Sequence, residues 1–407
     1  MKLGQWLSRR SPGYIARRGA NLVHRYGLTP TTAKLRVEDC VATLADLGCA
    51  PTFPTPGRVV QRYPGFFRQM QAAGAEIAVH SYDHIDLAAY PLQQAKNQLL
   101  KAARVFSEHG LEVAGFRCPY LSCSDGLLDA LPAEAFAYSS NRAVSWDVPP
   151  QTAAAADAAT LEVLRDFYAP LAATEAVCVP WSRGNLIEIP VCLPDDLQLS
   201  DGLQLDSEGI ASAWRQILLQ THQRGELFAL LFHPELARRC RQGFITVLKE
   251  ARQMQPGVWV ARLQDISQWW QEKAEFAATT HSSPEGLRIN FTCSQRATVL
   301  VKGLNNYGRH RPWHGSYHLL EDRTLELPTE ARPFVGLSDD VPEDTVRFLQ
   351  EQGYLVEMGQ QASRCAVFLD ADTLSSLPGQ VALVEHIEAS SSPLVRFWRW
   401  PNDFRSA

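Results

Sequence analysis

The run Ile77-Ala78-Val79-His80-Ser81-Tyr82-Asp83-His84 places two imidazoles four residues apart, directly after an apolar stretch. Neutral imidazoles suit Zn, Co, Ni or Fe. If the segment turns helically, positions i and i+4 share a face and both rings reach one ion. Two exposed neighbouring histidines are an equal reading of these residues alone. Two ligands do not hold a catalytic metal, so a third, usually a carboxylate, is required. Other apolar runs end in chemistry of the same kind. Gly115-Phe116-Arg117-Cys118-Pro119-Tyr120 offers an arginine that can orient a carboxylate by a bidentate contact. In the same run Pro119 fixes a turn that aims the Tyr120 backbone N–H as an oxyanion donor; the plainer reading is a surface arginine beside a packed tyrosine. Leu230-Leu231-Phe232-His233 ends in a histidine that can act as a general acid near neutral pH, or else serve as a hydrogen-bonded core residue.

These runs need a scaffold that brings them together, and the hydrophobic pattern supplies one. Residues 31–47 have helical spacing and stop at Gly48, CAPTFPTP is extended, PGFFRQMQAAG is helical, and AEIAVH reads as a buried strand. LQQAKNQLLKAARVFSEHG is a long amphipathic helix before the strand LEVAGFRCPY. SDGLLDALPA, SEGIASAWRQILLQTHQRG, GFITVLKEARQMQPG and QDISQWWQEKAEF read as further helices, interleaved with the strands FAYSSN, LFALLFH and VWVARL. Such alternation predicts an α/β fold with a parallel sheet covered by helices, and enough units for a (β/α) barrel. In a barrel the strand C-termini and the loops that follow them surround one mouth, where AVHSYDH, AGFRCPY, AYSSN and ALLFHPE then converge. The Ala-rich piece at 149–160 reads as an insertion or linker. From about residue 285 the pattern turns β-like, and a smaller, mixed, β-rich domain is expected over 285–407.

Composition is that of an ordinary globular protein of two domains, with 407 residues, 45% hydrophobic and 20% charged. A net charge of −5 gives no whole-chain reason to expect nucleic acid as a partner. Residues 1–30 form a basic, helical segment containing Arg9, Arg10, Arg17, Arg18 and Arg25, without the apolar region of a secretory leader. No run reaches the ~18 apolar residues of a spanning helix. The nine cysteines contain no C-x-x-C pair and read as buried free thiols in a reducing, cytoplasmic compartment.

Taken together, H-S-x-x-H, then F-R-x-P-Y, then L-L-x-H resembles the polysaccharide deacetylase family (the NodB-homology, carbohydrate esterase 4 group), over roughly residues 31–276. The resemblance implies a distorted (β/α) barrel and a divalent metal, zinc above all, that activates water. It implies removal of acetyl groups from a sugar or hydrolysis of a related non-peptide C–N bond, with a carbohydrate or small acetylated molecule as substrate. It makes His80 and His84 metal ligands, Arg117 the group that orients the catalytic base, Tyr120 an oxyanion donor and His233 the general acid. Glu188 and Asp195-Asp196, in LIEIPVCLPDD, also resemble a stretch of some members but receive no role, and Trp146-Asp147 is placed in the groove wall.

One part of the family pattern is missing. It begins with a strand ending in T-F-D-D, which supplies the base and the third ligand, whereas residues 1–30 contain neither Asp nor Glu. Three arrangements account for this. The protein is a degenerate relative that binds a glycan or protein partner without turnover. Alternatively Asp339 and Asp340, in PFVGLSDDVPEDT, supply the carboxylates, although acidic pairs before a helix are usually caps. Or the chain is circularly permuted, truncated or one part of a split enzyme, with a complementary chain carrying the Asp-bearing strand.

Overall fold

The computed structural model describes residues 30–148, 168–283, 286–302, 309–314, 317–328, 334–337, 343–353 and 355–358. The chain divides into two compact units, residues 1–270 and 271–407.

The first unit alternates helices and strands. In chain order it contains α1 (Pro30–Asp46), β1 (Thr52–Thr55), α2 (Gly57–Arg62), α3 (Pro64–Ala72), β2 (Glu76–Val79), α4 (Leu92–Glu108), β3 (Gly115–Phe116), α5 (Asp125–Ala130) and β4 (Tyr138–Ser139). There follow β5 (Ala143–Ser145), β6 (Leu171–Ala172), β7 (Trp181–Arg183), β8 (Leu186–Glu188), β9 (Val191–Leu193), α6 (Ser207–Arg224), α7 (Ala237–Ala251) and α8 (Leu263–Ala274), the last of which runs across the unit boundary. One sheet has the order β1-β2-β3-β4-β8-β7. It is parallel from β1 to β8, with β7 antiparallel at its edge. A second sheet, β6-β5-β9, is parallel and continues from Cys192 to Leu230 through a parallel bridge.

Both faces of the main sheet are covered, as parallel sheets require. Ile77 and Val79 of β2 enter one apolar cluster with Leu99, Val105, Phe106 and Phe116, while Ala78 between them enters another with Tyr138, Ile187 and Ile189. Helix α4 buries Ala95, Leu99, Ala102, Val105 and Phe106, the stripe of an amphipathic helix. Helix α6 is capped by Asp206, which accepts from the Gly209 N–H at 2.8 Å, and stops at Gly225 with φ +67°. It packs on α7 where Gly243 lies under Trp214; a Cβ there would come within 2.7 Å of the indole ring. At the entrance of β2 the buried Glu76 accepts from Tyr138 Oη (2.6 Å), Thr52 Oγ1 (2.7 Å) and the Gln264 N–H (3.0 Å), so one carboxylate ties β1, β2, β4 and α8 together.

Several strands are shorter than their sequence suggests. Only Gly115–Phe116 of LEVAGFRCPY and Tyr138–Ser139 of FAYSSN join the ladder. LFALLFH contributes one bridge, and VWVARL contributes none among the described residues. Trp259 is 54% exposed, and the chain docks afterwards by side-chain acceptors, with the Leu263 N–H donating to Thr52 Oγ1. Apolar runs of this length mark burial without stating whether a ladder partner is in register. Helix α2 is an element the sequence did not announce, and the Ala-rich piece at 149–160 lies outside the described residues.

The second unit is β-rich. It contains β10 (Ala277–Ser283), β11 (Gly286–Thr292), β12 (Leu300–Lys302), β13 (His310–His314), β14 (Tyr317–Leu320), β15 (Thr324–Pro328), β16 (Phe334–Leu337), α9 (Glu343–Glu351) and β17 (Leu355–Met358). Its sheets are β10-β11-β15, β12-β14-β13 and the parallel pair β16-β17. The first two share a core of Ile289, Phe291, Val301, Leu320, Leu325 and Leu327.

Candidate functional site

The C-terminal ends of β2 and β3 lie side by side, Val79 opposite Phe116, so the residues that follow each strand meet. His80 leaves β2 with its N–H on Thr55 O (3.1 Å), and its ring Nδ1 lies 2.7 Å from the Arg117 carbonyl oxygen. A carbonyl only accepts, so Nδ1 carries the proton and Nε2 presents its lone pair. Burial holds this imidazole down to about 3, against the hydrogen bond to the Arg117 carbonyl, which raises it, and with the charges of His84, Arg117 and His233 adding to the lowering, so it is neutral at physiological pH. A backbone carbonyl behind the ring and a neutral Nε2 in front are the features of a metal-ligating histidine.

The segment between the histidines is not a helical turn. Ser81 is fully buried with φ +64°, a conformation uncommon for a side-chain-bearing residue. It is held from outside: the Gly57 and Arg58 N–H groups at the start of α2 donate to Ser81 O and Tyr82 O, and the Gln98 amide oxygen on α4 accepts from the Asp83 N–H. The helix that the i, i+4 argument presumed is therefore replaced by a strained, clamped loop. The rings still meet, with centroids 5.0 Å apart. Two imidazoles on one tetrahedral ion, at about 2.0–2.1 Å per metal–nitrogen bond, place their centroids about 5 Å apart. The Tyr120 ring packs edge-on against His84 at 4.9 Å, from a backbone that is also left-handed (φ +63°).

His233 lies near enough to influence His80. It is gripped by Asp196, whose Oδ1 lies 2.7 Å from Nδ1 and whose Oδ2 accepts the His233 backbone N–H at 2.7 Å. Nδ1 is thus the protonated nitrogen here too, and Nε2 points away from Asp196. Asp196 is fully buried, whereas a third of the imidazole is exposed. Asp195, equally buried, accepts from Tyr168 Oη (2.9 Å) and the Gln198 N–H (2.8 Å); burial, and then the charge of Asp196, push its carboxyl up to about 6. Donor atoms of Asp195, Asp196 and His233 lie within 4.8 Å of one another, which makes them a candidate divalent-metal cluster. Most of their oxygen atoms are already engaged by protein N–H and O–H groups, which favours a carboxylate–imidazole pair over an open ligand set.

Residues 31–137 match the family model described as polysaccharide deacetylase. That stretch, about a quarter of the chain, is what is similar to the polysaccharide deacetylases. Three solved structures are similar to part of the chain. A polysaccharide deacetylase from Mycobacterium smegmatis is 20% identical, with 67% of this chain and 88% of that one covered and a TM-score of 0.47. One from Pseudomonas aeruginosa is 17% identical, with 60% and 74% covered and a TM-score of 0.45. A pseudoenzyme of carbohydrate esterase family 4 from Bacillus anthracis is 15% identical, with 58% and 61% covered and a TM-score of 0.34. The comparison with curated proteins finds no match.

The remaining expected residues fall in three groups. Arg117 is buried at the end of β3, with Nε on Ser140 O (3.0 Å) and Nη2 on Ser140 Oγ (2.7 Å), and burial lowers its pKa. Trp146 is 3% exposed in the main apolar cluster, so it packs the core instead of lining a groove. Asp339 and Asp340 lie outside the described residues. Two groups were seen in the sequence without a role. Glu188 takes the Asn141 N–H (2.6 Å), the Arg142 N–H (2.8 Å) and Ser139 Oγ, closing the turn after β4. Asp196 is the partner of His233, and its signal was the same as that of the histidines: polar chemistry where an apolar strand stops. Among the described residues no helix is long and apolar enough to cross a membrane.

Proposed function

We propose that this chain is a metal-dependent hydrolase of the deacetylase type, acting on an acetylated sugar or a related non-peptide C–N bond. The meeting of His80, His84 and Tyr120 after β2 and β3, with the His233–Asp196 pair near enough to act on His80, carries the reading. The chemistry belongs to residues 31–276, closed as a distorted (β/α) barrel. His80 and His84 present the better donors for zinc, one neutral with its Nε2 lone pair exposed to the site, the other at the matching ring separation. A divalent ion bound there supplies Lewis acidity, polarising a carbonyl and lowering the pKa of water. His233 holds a proton at Nδ1 against Asp196 and exchanges one at Nε2 with the departing amine or alcohol. Tyr120 offers its backbone N–H to a developing oxyanion, and Arg117 orients the acidic group that takes the proton from water.

A second reading is favoured by one observation. The three-donor cluster among the described residues is Asp195–Asp196–His233, not one built around His80 and His84. A non-catalytic protein that binds a glycan or a protein partner, or one part of an enzyme completed by a second chain, follows from it. Zinc content and affinity of the purified chain, beside His80→Ala/His84→Ala, together with release of acetate from acetylated chitooligosaccharides, separate the readings. Stoichiometric zinc lost in the double variant, with turnover, supports the hydrolase. Zinc-independent glycan binding without turnover replaces it with the binding protein, and turnover only on adding a second polypeptide replaces it with the split enzyme.

A further inference from the structure

The second unit carries two imidazoles on the wrong side of a sheet. In β12-β14-β13, His310 pairs with Leu320, His318 pairs with Pro312, and His318 pairs on its other side with Val301. Cross-strand partners share a face and alternate residues return to it, so His310, His318, Leu320 and Val301 point the same way. That face is the inner one, because Leu320 and Val301 are buried in the core of this unit. The two rings touch at a centroid separation of 4.7 Å and an angle of 62°. The Nδ1 atoms of both are buried, and neither has a hydrogen-bond partner.

A buried polar atom without a partner costs roughly 1–3 kcal/mol, and two adjacent ones double the cost. An apolar residue at either position would remove it. A shared hydrogen bond between the rings would also remove it, and the two nitrogens do not form one. Protonating both rings only adds like-charge repulsion. A late first-row divalent ion instead takes both lone pairs at once. Imidazole nitrogens are its preferred ligands, and bonds of about 2.0–2.1 Å place two ring centroids about 4.5 Å apart in a square-planar arrangement and about 5 Å apart in a tetrahedral one. The observed separation lies between these. We propose that His310 and His318 form a second transition-metal site, binding Zn²⁺, Ni²⁺ or Cu²⁺ and thereby fastening β13 to β14. It is separate from His80 and His84 and does not depend on what the first unit does.

The test uses the full chain carrying His80→Ala, His84→Ala and His233→Ala, so that both candidate groups of the first unit lose their imidazoles. Zn²⁺ and Ni²⁺ are titrated by calorimetry, with Cu²⁺ electron paramagnetic resonance reporting the number of nitrogen ligands. The expected result is one equivalent of ion with two imidazole nitrogens, an affinity at least tenfold weaker after His310→Gln or His318→Gln, and no change after His314→Gln, which is exposed on the same hairpin. His310→Gln, at the sheet edge, serves if the central-strand variant fails to fold, with circular dichroism as the check. Absence of a bound equivalent, or an equivalent that persists in both glutamine variants, would overturn the proposal and leave buried water as the partner of the two nitrogens.

Discussion

Replacing Asp196 by asparagine removes one charge and one acceptor while keeping the shape. Asp196 accepts two N–H groups at 2.7 Å, the backbone of His233 and its Nδ1. Asparagine has one oxygen and one NH₂ for those two donors. The backbone N–H has no alternative state, so the oxygen stays with it and the NH₂ turns to the imidazole. Nδ1 must then become the acceptor, and the ring proton moves to Nε2. Hydrogen bonds to a charged group contribute about 1.5–3 kcal/mol each in such settings. With one weakened to a neutral bond and the other reversed, we expect a stability loss of about 2 kcal/mol in urea unfolding. Heteronuclear spectra of ¹⁵N-histidine-labelled protein read the tautomer directly: protonated Nδ1 for His233 in the wild type, protonated Nε2 in Asp196→Asn. Proton transfer that needs a cationic imidazole loses its counter-charge, so any hydrolytic rate should fall by about 10²–10⁴-fold. An unchanged tautomer with unchanged stability would refute the argument, because it would mean that Asp196 does not hold the ring.

Other outcomes follow from the same structure. Gly115→Ala should cost at least about 3 kcal/mol in denaturant unfolding, since its Cβ would come within 2.4 Å of the buried Tyr138 ring, which has no room to give; a loss under 1 kcal/mol would contradict that packing. Burial, opposed by bonds from Tyr138, Thr52 and Gln264, sets the Glu76 carboxyl above its ordinary range. The folded state then binds the proton more tightly than the unfolded state, so this group's contribution declines as pH rises from the ordinary carboxylate value to the raised one and is level beyond it. The stability of the wild type minus that of Glu76→Gln should therefore fall with rising pH in that window; a difference that rises would reverse the assignment. Gly243→Ala should loosen the α6–α7 contact by about 1–3 kcal/mol, read as an earlier thermal transition, because the added methyl meets the face of Trp214.

Much of the first unit's arrangement is legible in the sequence. The α/β alternation, the long helix at 92–108 and a β-like pattern from about residue 285 follow from periodicity and stop signals, which are local properties of the chain; the strand at 277–283 precedes that bound. So does the pattern of polar chemistry at strand ends that singled out His80, His84, Arg117, Tyr120 and His233. What the pattern lacked was pairing. Asp196 lies 37 residues before the imidazole it grips, and nothing local distinguishes it from a cap. The histidines were expected to meet on a helical turn and meet instead on a loop strained at Ser81, because the α2 N–H groups and Gln98 fix its backbone from elsewhere in the fold. Trp146 read as a groove wall and became core, since a large ring is buried wherever neighbouring elements leave apolar space. Sequence alone determined most helices of the first unit and which apolar runs end in polar residues. Only the tertiary structure decided which acid meets which imidazole, because hydrogen-bond partners are set by three-dimensional proximity, over separations that no local pattern spans.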